Sequence, residues 1–354
     1  MSNVVSLHAQ RQGQSALLPA APALIELFAF GRRDRHDAYW LKENAELLQI
    51  LAATGARPDV SAYGQAAATL ADEMQFFPQY YRLYLSLALD LAALGLPGVP
   101  VAAMAAQVVR DGLIEAELSD AHRGEAHALL RRAGVQSEDP ALRRRLECFA
   151  GASHTFALPN RRAGYDLTHY VFHATDYGRS SAVFDTSCRQ SLINAGLVAW
   201  LDDDLDLLAE ITIALRLAGM AVPPVWDTAL QTGLGAFGCE KADRDAGFAD
   251  DYHAYFVMNW AQALRGGVAF DGLLPDRTAR FHRPATRVNA LREVSLALLD
   301  MGSARGPDWG AMRWRLWPRL SEAARNRLSL VEDLPEFAAF FSRFSRSRDK
   351  YRAA

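Results

Sequence analysis

"AYWLKENAELLQILAATG" runs from Ala38 to Gly55. Leu41, Leu48 and Leu51 fall on one stripe of a 3.6-residue period, and Gly55 supplies the stop. "PQYYRLYLSLALDLAALG" (Pro78–Gly95) repeats the pattern, with a proline in the first turn and a glycine at the end. The same periodicity predicts helices near 60–75, 100–112, 119–133 and 138–151. Beyond them, helices are expected near 166–177, 182–200, 202–218, 222–232, 250–265, 286–300, 308–327 and 334–351, the one at 308–327 bending or breaking at Pro318. Alternating strands with hairpin turns are missing. Paired helices joined by short turns predict an all-α fold, an α/α-hairpin array without substantial β-sheet.

"SHTFALPNRRAGY" (Ser153–Tyr165) breaks the periodicity with Pro159, Asn160 and Gly164. It suggests an N-terminal helical region at 23–152 and a C-terminal one at 165–354, either separate or continuous. Residues 1–22 read as a loose tail. The loop Gly233–Phe248 is long enough to suspect a functional or packing role.

A chain of 354 residues, half of them hydrophobic, can bury a sizeable core. A formal charge of -3 gives no global reason to expect nucleic-acid binding. Positive charge is almost all arginine, the lysines being Lys42, Lys241 and Lys350, and alanine is abundant, as in GC-rich bacterial genomes. Cys148, Cys188 and Cys239 are far apart, and an odd count argues against a disulfide framework. No apolar run reaches the ~20 residues that span a bilayer. With no basic start before an apolar run there is no secretory leader to expect, so the compartment expected is the cytoplasm.

"YDLTHYVFHATDYG" (Tyr165–Gly178) carries the sharpest chemical question. On a helix advancing ~100° per residue, His173 lies about 40° from His169 and Asp176 about 20° the other way. Two imidazoles and a carboxylate on one face can hold a metal ion. The same residues also read as two packed histidines and a helix-ending aspartate. In "FADDYHAYFVMNWAQAL", Asp250 or Asp251 is the expected N-cap, His253 sits in the first turn, and the following residues are apolar all round, as in a buried helix. In "LDDDLDLLAEITIALRLAG", Leu201, Leu205, Leu208, Thr212 and Leu215 form the apolar face. Asp203, Asp206 and Glu210 lie opposite, on a face that continues as Ile213, Ala214 and Leu217, the pattern of a helix lining the mouth of a cavity.

His169, His173, Asp176, Asp206, Glu210 and His253 are therefore the candidate metal ligands. Mixed nitrogen and carboxylate donors suit zinc, iron or manganese better than calcium. Such a site would make the chain a metal-dependent enzyme acting on a small molecule or peptide. The alternative is a non-catalytic helical scaffold presenting a groove to a peptide or protein partner. Cys188, just before a predicted helix after "FDTS", reads as a lowered-pKa thiol or a buried structural cysteine. The basic, aromatic C-terminal stretch (Arg313, Trp314, Arg315, Trp317, Arg319, then Arg343 onward) suits an acidic partner or, more simply, a solvated helix.

Asp202, Asp203 and Asp206 also form D-D-x-x-D, which resembles the aspartate-rich motif of class I isoprenoid synthases. That resemblance implies magnesium held against a diphosphate, but "NRLSLVED" (Asn326–Asp333) does not meet the spacing of the family's second metal motif. "WDTALQTGLGAFG" (Trp226–Gly238) contains Gln231-x-x-x-Gly235-x-Phe237-Gly238 and resembles the Gln/Gly/aromatic signature of squalene cyclases and related α/α-toroid proteins, including protein prenyltransferases. What this implies is architecture, a full or partial ring of helices with a central pocket. The cyclases' acidic D-x-D-D is absent, and Asp185 and Cys188 do not match the prenyltransferase zinc spacing, so neither activity transfers. The segment Tyr165–Leu264 further resembles uncharacterised bacterial all-helical proteins.

Overall fold

The computed structural model describes residues 18–241, 250–272, 274, 279–284 and 288–347. Along the chain run α1 (Ala21–Glu26), α2 (Ala38–Ala53), α3 (Gly64–Phe76), α4 (Tyr81–Ala93), α5 (Val101–Arg110), α6 (Asp120–Arg132) and α7 (Pro140–Gly151). There follow α8 (Ser153–Phe156), α9 (Arg161–Ala174), α10 (Thr186–Leu201), α11 (Leu205–Leu217), α12 (Pro224–Gly235), β1 (Gly238–Lys241), α13 (Tyr252–Leu264) and β2 (Ala279–His282). The last elements are α14 (Ala290–Asp300), α15 (Trp309–Leu316), α16 (Glu322–Ser329) and α17 (Phe337–Phe344). The protein is essentially all-α. Its one short ladder among the described residues pairs β1 antiparallel to β2, Gly238 opposite His282 and Lys241 opposite Ala279. No described helix is long and apolar enough to cross a membrane.

Two compact units are interleaved along the chain. The first comprises 1–143, 173–180 and 236–283; the second comprises 144–172, 181–235 and 284–354. The sequence break at Ser153–Tyr165 thus falls inside the second unit, where it forms α8 and the entry to α9.

In the first unit, α2 packs along α4, with α3, α5 and α6 around α4 and α13 against α2. The leucine stripe read from the sequence is buried, and Gly55 ends the run with φ 74. The stripe is not the whole contact, because Glu43 and Asn44 on α2 are also buried. Asn44 is satisfied by the carbonyls of Phe28 and Trp40 and by the Tyr63 hydroxyl. Glu43 is satisfied by arginine. A π-turn at Leu27–Gly31, where Arg32 N–H reaches the Leu27 carbonyl, delivers Arg32 inward. Its guanidinium donates to Glu43 at 2.9 Å and Asp250 at 2.8 Å and lies over the rings of Phe28, Tyr252 and Phe281. Asp250 in turn accepts the Phe281 N–H, tying β2 to the same node. A second buried carboxylate, Asp90 on α4, pairs with Arg132 and Arg179.

In the second unit α10 is the central helix. It touches α8, α11, α14, α16 and α17, and every residue from Ser191 to Leu201 is buried. A helix apolar all round is the sequence form of that position. Gly196 gives Trp226 of α12 its place: a Cβ there would lie 2.3 Å from the indole. Trp200 donates to the Arg327 carbonyl, and the Arg327 guanidinium lies 4.2 Å from the Trp200 ring centroid.

Several boundaries differ from the sequence reading, each for a local reason. α9 ends at Ala174, and Asp176 and Tyr177 both turn left-handed, at φ 44 and 54, so Asp176 leaves the helical face that spacing assigned to it. The stretch 308–327 does break at Pro318, as the sequence predicts, into α15, a 3-10 turn at Trp317–Arg319, and α16. Tail residues 1–17 lie outside the described residues; of the rest of the predicted tail, Leu18 is buried and Ala20 N–H bonds the Phe270 carbonyl. Of the loop at 233–248, the end of α12 and β1 are described and 242–249 are not. Arg348, Lys350 and Arg352 of the basic C-terminal stretch also lie outside.

Two stability predictions follow from these nodes. Gly196→Ala overpacks the α10–α12 contact and should lower stability by about 1–3 kcal/mol in urea titration, although alanine is the better helix former. Arg32→Met keeps most of the volume but strands a buried carboxylate. It should cost about 3 kcal/mol or more, and adding Glu43→Gln should return part of the loss in the same assay.

Candidate functional site in the second unit

The facing ends of α9 and α11 bring polar side chains together. Asn160 caps α9 by accepting the Ala163 N–H at 3.1 Å, and Asp204 caps α11 by accepting the Leu207 N–H at 3.2 Å. Gly164 allows close approach, since a Cβ there would stand 2.9 Å from the Leu207 side chain. The partners then line up turn by turn. Arg161 pairs with Asp204 at 2.6 Å, the Tyr165 hydroxyl donates to Asp206 at 3.0 Å, and the Thr168 hydroxyl reaches Glu210 at 2.5 Å. His169 Nε2 stands 3.7 Å from Glu210 Oε2.

Burial gives these pairs unequal characters. The Glu210 side chain is 2 % exposed, whereas that of His169 is 48 % exposed. A carboxylate withdrawn from water needs donors or positive charge nearby, which Thr168 supplies here and the imidazole can supply. Burial first, then the charges of Asp206, Asp204 and Glu210, push the Tyr165 phenol well above its ordinary range, so it stays a neutral donor. Burial also raises the Asp204 carboxyl, despite the opposing pull of Arg161. A cleft of about 140 Å³ opens beside Arg161, Gly164, Asp202, Asp204 and Leu207, with apolar walls from Phe156, Val198 and Leu291.

His169, Asp206 and Glu210 are thus assembled on one helix pair. The other three sequence candidates belong to the first unit. His173 lies edge-on to Tyr177 with ring centroids 5.8 Å apart. Asp176 pairs with Arg179 at 3.3 Å and approaches Arg132 at 3.9 Å. His253, half-buried in the first turn of α13, has its ring 6.4 Å from that of Tyr252. Asp251 occupies the N-cap position of α13, yet its carboxylate accepts the Arg283 N–H, while Asp250 accepts the Tyr252 N–H. Among the described residues no group of three or more His, Cys, Asp and Glu side chains is placed to hold a metal ion. In the second unit, Asp204 and Asp206 already face Arg161 and Tyr165, a donor set turned toward cationic and hydroxyl partners.

The D-D-x-x-D run is divided. Asp202 and Asp203 form the turn after α10, Asp203 at φ 57, and only Asp206 is helical. Asp203 is buried against Arg327 at 3.0 Å, while Asp206 turns to Tyr165. Cys188 is buried at the capped start of α10, and burial followed by the Asp185 charge pushes its thiol up to about 12, the reverse of an activated nucleophile.

Arg161, Tyr165 and Thr168 complete the face and are not metal-ligand types that the sequence pattern singles out. Their signal is spacing: positions 161, 165, 168 and 169 recur at helical intervals on the face that holds His169.

Asp204→Asn tests the electrostatics, because asparagine caps a helix as well as aspartate. A carboxyl whose folded pKa is raised above its unfolded value of 3.8 binds more protons in the folded state. Its contribution is therefore best at low pH and is lost as pH rises from that value through the raised folded pKa. The stability difference between Asp204→Asn and wild type should move in favour of asparagine between pH 3 and pH 7, read from urea midpoints at each pH.

Neither the curated proteins nor the solved structures contain a match to this chain. One family model does match, over residues 1–347, nearly the whole length. The chain belongs to that family, the Domain of unknown function (DUF6902).

Proposed function

We propose that the chain is an enzyme that moves protons on a small organic substrate bound against the α9–α11 face. His169 is the group that meets the substrate, and Glu210 positions it from behind. The observation that carries this reading is the half-exposed imidazole 3.7 Å from an almost fully buried carboxylate, itself held by Thr168. A histidine held by a carboxylate is a common form of an acid–base centre, because the carboxylate orients the imidazole that meets the substrate. A small cleft lined by Arg161 opens at the start of the same helix, two turns before His169.

A resident zinc, iron or manganese ion fits this arrangement less well, since the nearby carboxylates already face an arginine and a tyrosine. The scaffold alternative lacks a comparable observation on these helices. The same reading keeps the chain in the cytoplasm, in line with three free cysteines.

The test is turnover of pooled small metabolites in D2O, followed by proton NMR with the full-length protein. A compound consumed or deuterated by wild type should be processed about 10²–10⁴-fold more slowly by His169→Gln. Glu210→Gln should retain the fold and lose most of the rate. Equal turnover by His169→Gln would end the proposal. Stoichiometric metal in the purified protein that disappears in His169→Ala would replace proton transfer by ligation.

A further inference from the structure

The first unit contains a larger cleft, about 400 Å³, between α5, α6 and the loop 133–139. Val108, Ile114, Leu130 and Val135 form an apolar wall, and Arg123, His127 and Ser137 line the same hollow together with the carboxylates of Glu115 and Asp139. Ser137 Oγ and His127 Nδ1 are 2.7 Å apart. The loop that carries Ser137 is held at both ends. Gly134 turns left-handed at φ 82, and Val135 N–H returns to the Leu130 carbonyl, folding the loop back over α6. Asp139 then accepts the N–H groups of Ala141 and Leu142, each at 2.9 Å, which anchors the far end of the loop to α7. Arg123 is held by the Glu117 carbonyl at 2.7 Å.

A hydroxyl within hydrogen-bond reach of an imidazole, inside a hollow with apolar walls, is the arrangement that nucleophilic catalysis needs. We propose that this cleft is a hydrolytic site for short-chain carboxylic esters, with Ser137 as nucleophile, His127 as its base and Arg123 as the cation facing the oxyanion. His127 Nδ1 takes the Ser137 proton as Oγ bonds to the ester carbonyl carbon. The tetrahedral adduct collapses, the C–O bond to the alcohol breaks, and the alcohol oxygen leaves with the proton from His127. Water repeats the sequence on the acyl-serine, releasing the carboxylic acid and returning the proton to Ser137. Burial, followed by the Arg131 charge, holds the imidazole below its ordinary pKa, which keeps it neutral and able to accept a proton. The acyl chain lies along the valine and leucine wall.

The experiment uses the full-length protein with a fluorophosphonate probe and with p-nitrophenyl butyrate. Peptide mapping should find one adduct, on Ser137, and the butyrate ester should be cleaved above the buffer rate. Ser137→Ala should lose both signals with an unchanged melting temperature, and His127→Gln should slow labelling at least tenfold. His169→Gln should label like wild type, which separates this site from the proton-transfer reading. An adduct on any other residue, no adduct on wild type, or ester cleavage undiminished in Ser137→Ala would overturn the proposal. The peptide map alone decides the case should the alanine variant fail to fold.

Discussion

Arg32 is buried between Glu43 and Asp250, and the first unit is arranged so that this charge can remain there. An ion withdrawn from water loses several kcal/mol of hydration, which geometry must return through hydrogen bonds and opposite charge. The π-turn that aims Arg32 inward, the position of Glu43 on α2, the entry to α13 and the strand carrying Phe281 all serve that requirement. Aromatic rings complete the enclosure and add attraction to the guanidinium face. Asp90 with Arg132 and Arg179 applies the same solution elsewhere in the unit, and Asp203 with Arg327 applies it in the second.

Glu210 belongs to the same class of buried carboxylates and differs in its company. Among its partners are a hydroxyl and a half-exposed imidazole. A guanidinium stays protonated at any physiological pH, so a pair built on it is fixed; an imidazole exchanges its proton there. That contrast is why the α9–α11 face supports a chemical reading while the Arg32 node supports a structural one.

The helices were legible from periodicity because each must bury one stripe, and α13 was legible as buried because the residues after its first turn are apolar all round. Breaks at Gly55, Gly95 and Pro318 followed from backbone conformation alone. The candidate site was legible only in part. His169, Asp206 and Glu210 were visible as residue types on neighbouring helices; His169 stands beside Glu210, while Asp206 turns to Tyr165 and Arg161. Asp176 shows the limit of extrapolating a helical wheel, since two residues in left-handed conformation removed it from the face on which His169 lies. The D-D-x-x-D run shows a second limit: a motif read as one helical face is divided between a turn and a first helical turn.

Local sequence determined the secondary structure, the near-absence of strands and the identities of the groups able to transfer protons, because hydrophobic period, caps and breakers act within a few residues. Tertiary structure decided which carboxylates are buried, which cation or hydroxyl each one meets, and that Ser137 lies against His127. Those outcomes depend on desolvation and on the approach of segments far apart in the chain, such as Arg32 with Asp250 or Asp203 with Arg327, and no local pattern encodes such a meeting.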